Sequence, residues 1–159
     1  MVDHTDHGKK PYVLDIEKET EDNDLFRVTK WTGKHLQMTL MSIPVGSSIG
    51  LEAHPETDQF IRLDAGKGHV IMGPAEDDLS FQLDVEDGWS VQVPAGTWHD
   101  IINTGDEDMR LYVVYAPTHH TAGIVQKTSE DAEADEESGR DVPPKWSVQP
   151  AESEPDKKA

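Results

Sequence analysis

Between Phe26 and Tyr115 the apolar pattern of this chain comes only in short pieces, each cut off by Gly, Pro, Asp or Asn before it could span a helix. Phe26–Trp31, His35–Ile43, Ile49–His54, Gln59–Leu63, His69–Met72, Leu79–Val85, Ser90–Val93, Asp100–Asn103 and Arg110–Tyr115 are strand-like in turn. Turn residues such as Thr32-Gly33, Pro44-Val-Gly46 and Pro94-Ala-Gly96 separate them. Short strands at regular spacing with no convincing amphipathic helix predict an all-β barrel or sandwich. The 159 residues suffice for one domain with a real core.

The flanks differ from this body. Residues 1–25 form a polar N-terminal arm, frayed over its first ten residues, with room for one helical turn in the acidic stretch Asp15–Asp24. After Tyr115-Ala-Pro117 the apolar pattern stops. Residues 118–159 hold runs such as Ser129–Glu137 and several prolines, a composition that buries too little apolar surface to offset chain entropy. They are expected to form an acidic, largely disordered tail, with a nascent helix near 128–137 and Trp146 solvated. The domain body is thus 26–117.

A formal net charge of −18 argues against nucleic acid and against anionic membrane surfaces as partners. The first residues carry no apolar signal-peptide core, and no apolar run approaches the length of a membrane span, so the reading is cytoplasmic. Without cysteine, any metal must sit on His and oxygen ligands.

Such ligands cluster in two glycine-bounded segments, Gly46–Gly66 and Gly88–Asn103. Glu52 and His54 stand at i and i+2, on one face of a strand. Gln59 follows the Pro55–Asp58 turn and can return to the same point across a hairpin, while His99 follows Pro94-Ala-Gly96-Thr-Trp. Glu52, His54, Gln59 and His99 then converge at one barrel mouth, offering two imidazoles, a carboxylate and an amide oxygen to a first-row divalent ion.

With those residues in view, the chain resembles the cupin superfamily, whose small barrels carry two motifs around a metal. Gly46, Glu52, His54, Gln59 and Gly66 keep every spacing of the first motif, and Gly88, Pro94, Gly96, His99 and Asn103 keep every spacing of the second. The resemblance covers roughly 26–117 and implies a single-domain double-stranded β-helix, or jelly roll. Two positions depart from the family pattern: Glu52 stands where the family has His, and Gln59 where it has Glu. The set stays singly negative but becomes harder, which moves preference from copper towards manganese, iron or zinc. The wording of Glu52–Leu63 is closest to cupins loosely called mannose-6-phosphate isomerase-like, a fold kinship that fixes no substrate.

Function divides into classes. The resemblance implies a metal-dependent isomerase, epimerase or dioxygenase acting on a small oxygen-rich ligand. The alternatives are a non-catalytic module that binds a small molecule or metal, and a homodimer, paired through the Trp31–Ile43 region, whose metal only fastens strands. Around the site, Glu56 and Asp58 read as solvated turn residues, Asn103 as a hydrogen-bonding strand end, and Trp89 and Trp98 as packing. His4, His7, His119 and His120 are expected in solvent, His69 outward, and Arg62 on the face opposite Gln59. Tyr115 could reach the cavity. The strand at His35 leaves two options open: His35, Gln37 and Thr39 inside, or Leu36, Met38 and Leu40 inside.

Overall fold

A computed structural model describes residues 2–147. Its elements in chain order are α1 (Ile16–Asp22), β1 (Arg27–Thr32), β2 (Gln37–Ile43), β3 (Asp58–Ala65), β4 (Lys67–Gly73), β5 (Phe81–Glu86), β6 (Ser90–Val93), β7 (Trp98–Asn103), β8 (Met109–Ala116), β9 (Val125–Gln126) and α2 (Ser129–Glu137). All pairings are antiparallel. A six-stranded sheet, β6-β3-β8-β2-β1-β9, faces a three-stranded one, β5-β4-β7. The segment Ile49–His54, read from sequence as a strand, makes only the isolated bridge Glu52 to His99, and Ser48 just before it bridges to Ile102; both extend the smaller sheet past β7. This is the jelly roll the turn spacing predicts.

Alternation decides which side chains reach the core. On β3, Gln59, Ile61 and Leu63 are buried while Phe60 is exposed and Arg62 half-buried. On β8, Met109, Leu111, Val113 and Tyr115 are buried, alternating with half-buried Arg110, Tyr112 and Val114. Ile61, Leu63, Met109, Leu111, Val113 and Tyr115 join Met41, Ile43, Val70, Met72, Val91, Val93 and Ile101 in one apolar core. Strand β2 departs from simple alternation, because almost every residue along it is buried. Gln37 and Thr39 face inward with Met41, whereas Leu40 packs outward beside Val28 beneath the N-terminal segment. His35 precedes the strand and is exposed. The structure takes the option with Gln37 and Thr39 inside, His35 excepted, and covers the strand on its other side as well.

The covering segment is held by Lys30, which is fully buried on β1. Its Nζ donates to the Asp3 carbonyl at 2.7 Å and lies 2.9 Å from Glu19 on α1. Asp6 accepts from the Thr32 backbone and from Gly123, and the His7 amide donates to the Lys30 carbonyl. The N-terminal arm is therefore fastened by ion pairs and backbone bonds. α1, capped by Asp15, supplies about two turns where one was expected.

The C-terminal segment differs from its expected form over the described residues. β9 pairs with β1, and α2 starts at a Thr128 cap. Thr118, His120, Gln126 and Ser147 are buried, and Lys9 lies 4.2 Å above the Trp146 ring. The physical reason is that this stretch attaches through hydrogen bonds rather than apolar area. Asp141 accepts from the Thr121 amide, Thr121 bridges Arg140 and Val142, and Gln126 reaches Asp135. Apolar composition does not register such bonds. The end of the expected tail, 148–159, lies outside the described residues.

Candidate metal centre

Glu52 and His99 face one another as a doubly hydrogen-bonded antiparallel pair, with Glu52 N to His99 O at 3.1 Å and His99 N to Glu52 O at 2.9 Å. Directly opposed residues present their side chains on one face. His54, two residues beyond Glu52, is fixed through its carbonyl, which accepts from Gly96 at 2.8 Å. Gly96 takes a φ of 80°, a left-handed turn conformation that favours glycine. One potential ligand atom each from Glu52, His54 and His99 lies within 4.8 Å of the others. Gln59 comes from the other sheet, its Nε2 3.1 Å from His99 Nε2. The structure thus brings together all four residues singled out in the sequence.

Local bonding prepares these groups. His99 Nδ1 lies 3.0 Å from the Thr97 carbonyl, which favours the tautomer with its proton there and leaves the Nε2 lone pair aimed inward. His54 Nε2 is buried and has no hydrogen-bond partner among the described residues. Glu52 Oε1 stands 3.1 Å from it, but off the direction a hydrogen bond requires, so the contact is electrostatic. Burial alone would push the Glu52 carboxyl up. The adjacent His54 imidazole, then the charges of Arg27 and His99, outweigh burial and hold it down at about 2. Burial lowers His99, against the opposing pull of the Thr97 carbonyl and Glu52. At neutral pH Glu52 is therefore a carboxylate, and with the imidazoles of His54 and His99 it makes a donor set that suits manganese, iron or zinc. Gln59 presents its NH₂ to the same His99 lone pair that a metal would take, and must turn its oxygen inward to ligate.

Other expectations resolve individually. Asn103 donates to the carbonyls of Ile43 and Glu107 and accepts from Gly105, a strand-end role. Asp58 accepts from the Ala95 amide in its turn. Arg62 points away from Gln59 and pairs with Asp64 at 3.1 Å. His69 lies outward beside Asp84.

His119 and His120 differ from the solvated pair expected. The His119 ring centroid is 3.8 Å from that of His54, and His120 is buried at 4 % exposure. His120 Nε2 meets the Tyr115 hydroxyl at 3.1 Å and its Nδ1 meets Asp141 at 2.8 Å. Gln37 anchors the pair, its oxygen accepting from both backbone amides and its NH₂ donating to the His120 carbonyl. Burial drives His119 down to about 3 and also lowers His120, next to the Arg27 charge. Periodicity could not reveal these residues, because they follow β8 outside any strand. The one available signal was Gln37, whose inward option was left open.

Comparison with known proteins agrees with this architecture. A cupin domain model matches residues 39–115. The uncharacterized protein YrkC of Bacillus subtilis (strain 168) is 50% identical over 132 residues, covering 83% of this chain and 71% of its own. An uncharacterized protein of Acanthamoeba polyphaga mimivirus is 35% identical over 115 residues, covering 72% of this chain and 70% of its own. The crystal structure of BH2720 from Bacillus halodurans superposes with a TM-score of 0.81 at 52% identity, over 82% of this chain and 98% of that one. The chain belongs to the cupin family.

Proposed function

We propose that Glu52, His54 and His99 hold a divalent manganese, iron or zinc ion, and that the protein is a metal-dependent enzyme acting on a small oxygen-rich molecule. The observation that carries this reading is the buried His54 Nε2, which makes no hydrogen bond among the described residues, stands 3.1 Å from Glu52 Oε1 and lies within 4.8 Å reach of ligand atoms on Glu52 and His99. A buried polar atom left without a partner is costly, and a bound ion removes that cost. Two imidazoles and one carboxylate leave coordination positions open, and an ion there supplies Lewis acidity or a site for O₂. The chain's own residues do the rest. Thr97 fixes the tautomer of His99, Gln59 turns on or off the ion, and His119 covers His54. The Tyr115 hydroxyl, hydrogen-bonded to His120, is a polar group at hand on the neighbouring strand, since Tyr115 and Gln59 are register partners.

Isomerisation or epimerisation and dioxygenation are the reaction types this donor set supports. A cytoplasmic location and a small molecule, rather than nucleic acid, as partner complete the proposal, resting on the −18 charge and the lack of cysteine. Among the described residues no helix is long and apolar enough to cross a membrane. The test is reconstitution with each metal, followed by O₂ uptake on the iron-loaded protein and proton-exchange NMR with a panel of diols and hydroxy acids. Turnover in either assay that disappears in His99→Ala supports an enzyme. Ligand binding without turnover assigns the barrel to the non-catalytic class instead.

A further inference from the structure

Strand β1 carries two buried cations that the fold treats differently. Lys30 is matched by Glu19 at 2.9 Å and Asp3 at 3.6 Å. Arg27 is 5 % exposed and takes part in none of the ion pairs among the described residues, although the chain has 32 acidic residues. Its Nη1 donates to Gln126 Oε1 at 3.1 Å, while its Nε is buried with no partner among those residues. The Glu52 and Asp141 carboxylates feel its charge from beyond ion-pair distance, and a buried cation with no directly paired carboxylate among the described residues is incompletely compensated.

The site is built to receive that counter-charge. Arg27 lines a cavity of about 330 Å³ together with Phe26, Ser47, Glu52 and the Ala132 and Glu133 positions of α2. The Phe26 ring lies 5.3 Å from the guanidinium carbon and closes one side. Nη1 is engaged by Gln126 and Nε is closed off from the cavity, so a carboxylate reaches the Nε–Nη2 edge, with its two parallel donors, only when neighbouring side chains shift. Glu52 belongs both to this cavity and to the Glu52–His54–His99 cluster, so a short molecule bound at Arg27 extends towards the proposed metal. Glu133 and Glu136 on the exposed side of α2 make the mouth electronegative, which disfavours phosphates and dicarboxylates against a single carboxylate.

We propose that Arg27 is the carboxylate-binding residue of this cavity, and that its ligand is a small monocarboxylic acid carrying hydroxyl or carbonyl oxygens that point towards Glu52. The carboxylate site stands on Arg27 alone; only the orientation towards Glu52 rests on the metal reading.

Calorimetric titration of the full chain, with and without zinc, would use glycolate, lactate, pyruvate and gluconate as probes, lactamide as the neutral control and inorganic phosphate as the competing anion. At least one of the acids should bind, with lactamide and phosphate at least about tenfold weaker than the best acid. Arg27→Lys keeps the charge but loses the fork, and should weaken that acid by about tenfold or more while zinc binding and melting temperature hold. Arg27→Gln removes the charge as well and should weaken that acid at least as far in protein that still folds. Carboxylate binding that depends on Arg27 in protein unable to bind zinc would sustain the proposal while the metal reading fails. No binding by any of the acids, equal binding of acid and amide, phosphate as the preferred anion, or an acid affinity unchanged in folded Arg27→Lys would overturn it.

Discussion

Two polar sets lie side by side inside this barrel, and they are finished to different degrees. In the set formed by Gln37, Tyr115, His120 and Asp141, donors meet acceptors: Gln37 alone engages the His119 and His120 amides, the His120 carbonyl and Thr32. In the set formed by Glu52, His54 and His99, one buried imidazole nitrogen has no hydrogen bond among the described residues. A completed network stiffens a structure, whereas an incomplete one is tolerated where a ligand completes it. The first set therefore belongs to stability and the second to binding.

The largest effect that can break this distinction comes from Asp141→Ala. It removes the partner of buried His120 and of the Thr121 amide, and should cost about 3 kcal/mol, lowering the melting temperature by about 6–12 °C in thermal unfolding. Metal binding by the folded variant should persist. His54→Gln should show the converse. Metal affinity should fall by about 100-fold or more, while metal-free stability should fall less than in Asp141→Ala, since His54 loses an ionic contact with half-buried Glu52 and no hydrogen bond among the described residues. If the two variants behave alike in both assays, the distinction fails.

Acid titration sharpens the same contrast. Burial, then the Arg27 charge, lowers His120, so the folded protein holds this imidazole neutral where the unfolded chain protonates it near the ordinary value of about 6.5. The associated stability is present above that pH and is lost as pH falls towards the depressed folded value, by at most about 1.4 kcal/mol per pH unit for one proton. Metal-free urea midpoints at about pH 7.5 and 5.5 should show a smaller drop for His120→Gln than for the parent. His69 carries the opposite sign. Its pair with Asp84 raises it, so that contribution is present below the unfolded value and lost as pH rises through the folded one. Because the pair is solvated, His69→Gln should leave the melting temperature within about a degree.

How much was readable from sequence follows the same division. Strand alternation, a local rule, placed Gln59 inward and Arg62 outward, and the two motif spacings brought Glu52, His54 and His99 to one point across the chain. The second set joins Gln37 on β2 to His120 and Asp141, which lie in no strand or helix and belong to no motif with a recognisable spacing. Composition read 118–147 as too polar to pack, yet the segment is tied down by directed hydrogen bonds that no apolar count registers. Leu40 shows the same limit from the other side: an outward strand position became core because the N-terminal arm closes over it through Lys30.

Metal content after parallel reconstitution with manganese, iron and zinc tests the central assignment most directly. The wild-type chain should retain about one equivalent of at least one metal after desalting, and His54→Ala and His99→Ala less than about a tenth. A wild-type chain that retains less than about a tenth of an equivalent of every metal, or folded variants that bind as well as it does, would contradict the account.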